Sequence, residues 1–392
     1  MQQNTDRILT THVGSLARPH HILDMIQARI RGQGVDDATF NPALRTAVED
    51  IVRKQVETGV DIVCDGEISK TSFNAYIKHR LGGFEPSAEG APIAMGRWGD
   101  TRETLDFPEY YTWYEKQRDD RKPIEEERTP LICSSPVTYT GMADLQRDID
   151  NLKAAIKTTG AKFGFMPAMA PRAPGRNVYY KTEEEYMQAV SDALAVEYKT
   201  IVDAGLILQV DDPTFATMYG HDTEPLDVRR REAEQQVEIL NYALRNIPPE
   251  NVRYHTCYSI NIGPRVNDAP LADFLDLMLK INVAGYSYEV ANSRHAHEWR
   301  VWEKTKLPEG KVIIPGVISH ATALVEHPEW IADQIVLHAE LVGKERVIAG
   351  ADCGFSSVAG YNPEIHQTVV WAKFQAMAEG AKLATQRLWG TK

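Results

Sequence analysis

A histidine and a cysteine stand two residues apart in His255-Thr256-Cys257, at the end of an apolar run reading VRYHTC. Residues two apart in a strand point to the same face, so this imidazole and this thiol can converge on one point. Cys353 closes another such run much later in the chain, and Glu289 closes a third between them. One imidazole, two thiolates and a carboxylate form a tetrahedral donor set, soft enough for Zn2+ rather than Mg2+ or Ca2+. Donors gathered from three strand ends suit a catalytic metal, because structural zinc usually sits in closely spaced Cys knuckles. The same residues also read as packing, with two small buried thiols and a hydrogen-bonded core histidine. His-x-Cys is too short a pattern to decide between the two. The other two cysteines, Cys64 and Cys133, lie inside apolar or peripheral segments and read as packing residues.

Zinc held by two thiolates is electron-rich and a weak Lewis acid for hydrolysis. It suits a substrate thiol, whose pKa it lowers while keeping the sulfur nucleophilic, which points to S-alkylation. Glu67 and Asp211 end further apolar runs and could grip an amine of such a substrate, or could simply pair with a nearby Arg or Lys. The first run ends in His12-Val13-Gly14-Ser15, and His320 follows the seventh. Ionisable groups at the ends of apolar strands lose water at a cost unless something pairs with them.

Those runs define the elements that must position the site. Eight are legible, at residues 8–13, 60–65, 163–168, 206–211, 252–257, 284–289, 311–316 and 347–352. Helical patterns separate them, at 42–59, 182–205, 226–246 and 328–343. Near-continuous apolar strands alternating with helices predict a parallel sheet buried on both faces. The count predicts a (β/α)8 TIM barrel, an α/β fold whose catalytic groups stand where strands end and loops begin. An open doubly wound sheet is the alternative, but no GxGxxG follows the first strand. Residues from about 81 to 140 break the rhythm with Gly, Pro, aromatics and charge. They read as an insertion between the second and third strands, either a lid or a surface excursion, in which LICSSPVTYTG could form a strand. The whole of 1–392 is read as one barrel domain carrying this inserted subregion.

Composition narrows the function classes. The chain has 392 residues, of which 43% are hydrophobic and 25% charged, ordinary for a globular protein. A net charge of −12 argues against a nucleic-acid partner, which usually needs a basic face. No apolar run is long enough for a membrane span, and the opening MQQNTDRILTTHVGS lacks the regions of a signal peptide. Four scattered cysteines make no disulfide framework, and a cytoplasmic location is expected. The oligomeric state is left open, homo-oligomers included.

In order, THVGS, DGE, QVDDP, HTC, YEVANSR, GVISH and ADCG resemble the strand-end motifs of the cobalamin-independent methionine synthase family. The stretch HEWRVWEKTKLPEGKVIIPGVISHATALVEHPE looks like the short single-barrel group, which also includes epoxyalkane:coenzyme M transferase. The resemblance implies zinc ligands at His255, Cys257, Glu289 and Cys353, with the glutamate replaceable by the incoming thiol. It implies thiol-substrate contacts at Ser15, Glu67 and Asp211, and His320 as a proton donor to the leaving group or a partner of the ligands. The implied activity is that of a 5-methyltetrahydropteroyltriglutamate–homocysteine S-methyltransferase-like enzyme, with a small-molecule thiol as acceptor and a folate methyl donor as co-substrate. Two alternatives stand beside it. One is thiol transfer to another electrophile such as an epoxide, with His320 or His12 as the acid. The other is a non-catalytic or decarboxylase-like barrel. The chain departs from the family at Asp212, where the pattern has Glu, and at His12, where it has a small hydroxyl residue.

Overall fold

The structure, a computed structural model, describes residues 6–73, 75–87, 101–119, 124, 130–217, 226–258 and 262–390. Seven parallel strands form the central sheet: β1 (Ile62–Val63), β4 (Phe163–Met169), β6 (Ile207–Asp212), β7 (Val252–Thr256), β8 (Gly285–Tyr288), β9 (Val312–Ile318) and β10 (Gly350–Ala351), in that spatial order. The segment at residues 9–11 joins the two edges. Thr11 bridges to Ile62 on one side and Thr10 to Ala349 on the other, and Ala349 N donates back to Leu9 O at 2.9 Å. The curled sheet thereby closes as the predicted barrel, with its first strand reduced to single bridges. The outer strands are shorter than their apolar runs. The run at 60–65 keeps only two ladder residues, and that at 347–352 slips register between Gly350 and Ala351.

Two apolar layers hold the barrel. Its interior packs Leu9, Ile62, Cys64, Phe165, Val312, Ile314 and Ile348, while a larger core fills the space between sheet and helices. One charged side chain crosses the interior floor. Arg253 of β7 donates to Gln209 Oε1 at 2.7 Å, Thr11 Oγ1 at 2.8 Å and His12 O at 2.7 Å, over the face of Phe165. A buried guanidinium is tolerated only when its donors are met, and here they tie the bridging segment to β6 and β7.

Two of the long helices start where a side chain caps them. Thr182 accepts from Glu185 N at the head of Glu183–Asp203, as its Thr-x-x-Glu spacing predicts. The second helix begins at Asp37 rather than Pro42, because Asp36 caps Thr39 N and the helix runs through Pro42. A helix at Gln367–Trp389, absent from the sequence reading, packs against Pro328–Val342. No helix among the described residues is long and apolar enough to cross a membrane.

Between β1 and β4 the chain leaves the barrel. β2 (Leu81–Pro86) and β3 (Leu131–Tyr139) pair antiparallel, and β5 (Arg176–Asn177) adds to β3, so LICSSPVTY is a strand. Helices Arg102–Asp106 and Pro108–Asp119 lie between them. Residues 88–100, 120–123 and 125–129 of the 81–140 stretch fall outside the described residues.

A candidate metal and substrate site at the barrel rim

The rim gathers most of the residues singled out by sequence. β7 carries His255 into the barrel mouth and ends one residue before Cys257, whose N–H donates to Asp212 O of β6 at 3.1 Å. Cys353 follows β10. Its Sγ lies 3.7 Å from Cys257 Sγ, and both thiols are free and buried. His255, Cys257 and Cys353 present ligand atoms all within 4.8 Å of one another, and so do Glu289, His320 and Cys353. Cys353 belongs to both groups, so its thiol links the His255–Cys257 pair to Glu289 and His320.

The donors are prepared for a cation. His255 Nδ1 meets Ser287 Oγ of β8 at 3.1 Å, while Nε2 is buried with no hydrogen-bond partner among the described residues. Glu289 Oε2 accepts from Arg265 at 2.8 Å and from Asn292 at 3.0 Å, and Oε1 is buried and accepts nothing among the described residues. Burial pushes the Glu289 carboxyl up to about 8, against the pull of Arg265. The Cys353 thiol is held well above its ordinary range, first by its contact with Cys257 and then by burial. Orphaned buried donors of this kind call for an ion between them. Two sulfurs on one tetrahedral zinc, each about 2.3 Å from it, stand about 3.8 Å apart, which the observed 3.7 Å matches. One imidazole, two thiols and one free carboxylate oxygen fit zinc by donor type as well.

Beside the metal candidates lies an acidic recess. Asp211 of β6 pairs in register with His255, and its Oδ1 accepts from Gln209 at 2.7 Å. Its carboxyl is raised well above the usual range by burial, then by Glu67 and Cys257. Glu67, in the left-handed region at φ 55°, is oriented by a turn in which its N–H donates to Asp65 Oδ1 at 3.0 Å. Lys70 Nζ lies 3.6 Å from Glu67 Oε2 and donates to Pro167 O at 2.7 Å. The pairing alternative for Glu67 is thus present, though Oε2 accepts no hydrogen bond among the described residues. Ser15 lies against Gly354, whose lack of a side chain makes room for its hydroxyl.

His12 is placed elsewhere. Its Nε2 meets Gln55 Oε1 at 2.8 Å, and its ring packs on Phe165 and Phe374 beneath the C-terminal helix. Burial holds it neutral, with a pKa down at about 3. Successive strand residues face opposite sides, so Thr11 takes the interior position beside Arg253 and His12 turns out to the helix layer. Cys64 and Cys133 are fully buried packing residues.

The sequence reading passed over the residues that aim the ligands. Asp352 accepts from the N–H groups of Val290, Ala291 and Asn292 at 2.8–2.9 Å, pinning the loop that follows Glu289. Its place beside Cys353 at a strand end was a usable signal. Ser287, two residues before Glu289, was another. Arg265 gave none, since it lies in an irregular loop.

No family model matches the chain. Curated proteins named methionine synthase do: that of Saccharolobus islandicus strain L.S.2.15 is 23% identical over 384 residues, covering 97% of this chain and 95% of its own. That of Thermococcus kodakarensis is 23% identical over 385 residues, covering 97% and 94%. Among solved structures, a B12-independent methionine synthase from Shewanella sp. W3-18-1 in complex with selenomethionine superposes with a TM-score of 0.67 at 18% identity, covering 98% of this chain and all of its own, which establishes a shared fold. The resemblance carried by the strand-end motifs is thus borne out: along almost its whole length the chain is similar to proteins named methionine synthase, and it shares its fold with a B12-independent methionine synthase.

Proposed function

We propose that this protein is a zinc-dependent thiol methyltransferase of methionine-synthase type, moving a methyl group from a 5-methyltetrahydrofolate-like donor to homocysteine or a related small thiol. The observation that carries this reading is the convergence of His255, Cys257 and Cys353 on one buried point, with Glu289 and His320 beside it. The curated relatives named methionine synthase, matched over 95% and 94% of their length, support it.

His255 Nε2, Cys257 Sγ, Cys353 Sγ and Glu289 Oε1 would hold the zinc. When bound, zinc supplies a Lewis acid that keeps a substrate sulfur ionised and nucleophilic at neutral pH. The chain's own residues do the rest. Glu67 and Asp211 concentrate negative charge next to Cys257, a strain registered in the raised Asp211 carboxyl. A substrate ammonium placed there would relieve it, so these two carboxylates hold the amine end of the thiol substrate. Ser15, beside Gly354, completes the contact. His320, among the donors of the metal candidates, protonates the leaving group as the methyl departs. Burial of the whole rim excludes water and aligns donor and acceptor, which supplies much of the rate.

The test measures zinc content together with methyl transfer from methyltetrahydrofolate to homocysteine. Stoichiometric zinc and turnover are expected. Protein without bound zinc sinks the proposal, and zinc with no folate turnover but alkylation of thiols by epoxides sinks the choice of donor.

A further inference from the structure

Arg265 is the least expected residue near the candidate ligands. It is 5% exposed and adopts φ 57°, a left-handed backbone that a non-glycine residue takes up only at a cost. Its guanidinium is held by two carboxylates and lies beside one imidazole. Nε donates to Asp268 Oδ2 at 2.7 Å, Nη2 lies 3.4 Å from His295 Nε2, and Nη1 donates to Glu289 Oε2 at 2.8 Å. His295 in turn bonds Asp268 at 2.9 Å. The loop is fastened from outside by the excursion. Glu103 of the short helix Arg102–Asp106 accepts from Val266 N, Asn267 N and Asn267 Nδ2, and Asp106 accepts from Asn267 Nδ2 at 2.8 Å.

Charge and geometry give this arrangement a purpose. Glu289 Oε2 carries two donors, Arg265 and Asn292, while Oε1 carries none among the described residues. With one oxygen saturated by a cation, the carboxylate can offer a metal only the other, and offers it weakly. Two thiolates and a carboxylate around Zn2+ sum to one negative charge, which the Arg265 cation cancels. A buried carboxylate that left the metal without a partner would be a costly unpaired charge. Arg265 removes that cost, because it already holds Glu289 and keeps holding it.

We propose that Arg265 is a positioning residue that makes Glu289 a one-oxygen, exchangeable ligand and serves as its standing counter-ion when a substrate thiol takes its place. The inference rests on the zinc reading above. With a substrate thiolate in its place, its proton released to solvent, Glu289 Oε1 would be free while Oε2 would stay on Arg265. The 101–119 excursion acts here as a brace for the Arg265 loop through Glu103.

The test loads wild-type protein and Arg265→Gln with Co2+ as a spectroscopic stand-in and titrates each with L-homocysteine. Metal affinity, measured by chelator competition, is expected to change by less than about 3-fold, while the homocysteine needed for half the spectral change rises at least about 10-fold. Arg265→Lys, which keeps the charge, is expected to recover most of that shift and also serves if Arg265→Gln does not fold. A merely structural role would lower metal affinity and leave the homocysteine midpoint alone. That outcome, or identical midpoints in wild type and Arg265→Gln, overturns this inference while the zinc reading stands. Wild-type protein that binds no Co2+ overturns both.

Discussion

Gly316 and Asp352 share one space. A methyl group on Gly316 would run into Asp352 Oδ1 and lie 2.8 Å from Asp352 N and 2.9 Å from its Cα. The register slip in β10 brings Asp352 this close, and from there its carboxylate holds the backbone of residues 290–292. Backbone atoms cannot step aside as a flexible side chain can. Gly316→Ala is therefore expected to cost about 1–3 kcal/mol of stability, read by denaturant unfolding, and to lower zinc affinity by about 10-fold through the displaced Glu289 loop. A variant that matches wild type in both would show that the loop does not depend on this contact.

The four cysteines divide into two pairs with different expected behaviour. Cys257 and Cys353 are in contact at the rim, whereas Cys64 and Cys133 are buried in packing clusters. Cys257→Ser and Cys353→Ser should fold but lose zinc on gel filtration, since a hydroxyl is a poor substitute for thiolate. Cys133→Ser should retain it. Equal zinc content in all three variants would remove the thiols from the metal site.

How far the sequence could be read follows from the period of the strands and from where it ends. Apolar runs of period two put His255, Cys257, Glu289 and Cys353 at one rim without knowledge of any contact. The same reasoning placed His12 there too, and the structure turns it to the helix layer, because a shift of one residue exchanges the two faces of a strand. Asp352 and Ser287 were within reach of the same logic, but their value lies in hydrogen bonds that only the folded loop supplies. Arg265 was beyond it. Its direction depends on a left-handed backbone and on Glu103, which is 164 positions from Asn267. No local pattern encodes such a bond.

Ser287 supports the imidazole ligand from behind. Its hydroxyl meets His255 Nδ1 at 3.1 Å, which leaves Nε2, without a hydrogen-bond partner among the described residues, to take a metal. A metal-binding histidine freed from such a partner loses orientation, typically at a cost of 10–100-fold in metal affinity. Ser287→Ala is expected to weaken zinc by about 10-fold in chelator competition, with a stability loss of only about 1 kcal/mol. Unchanged zinc affinity would mean that packing alone orients the ring.

His295 gives the loop its pH dependence. Burial opposes its charge, but the hydrogen bond to Asp268 and the Glu298 carboxylate 3.3 Å from Nδ1 outweigh burial and hold its pKa up at about 9. An unfolded histidine titrates near 6.5, so between the two values the folded state binds more protons. The stability from this charge is therefore complete below about pH 6.5 and is lost as pH rises through about 9, with an upper limit on the order of 3 kcal/mol. His295→Gln removes the titrating group and keeps a similar volume. With a chelator present, the Tm gap between wild type and this variant should be widest at pH 6 and shrink toward a packing residual by pH 10. Taking the difference cancels the titrating groups that His295 does not perturb, while the Glu289 carboxyl, which the His295 charge lowers, contributes to the gap. A gap that stays constant with pH would show that His295 is neutral in the folded protein and that Asp268 holds Arg265 without its help.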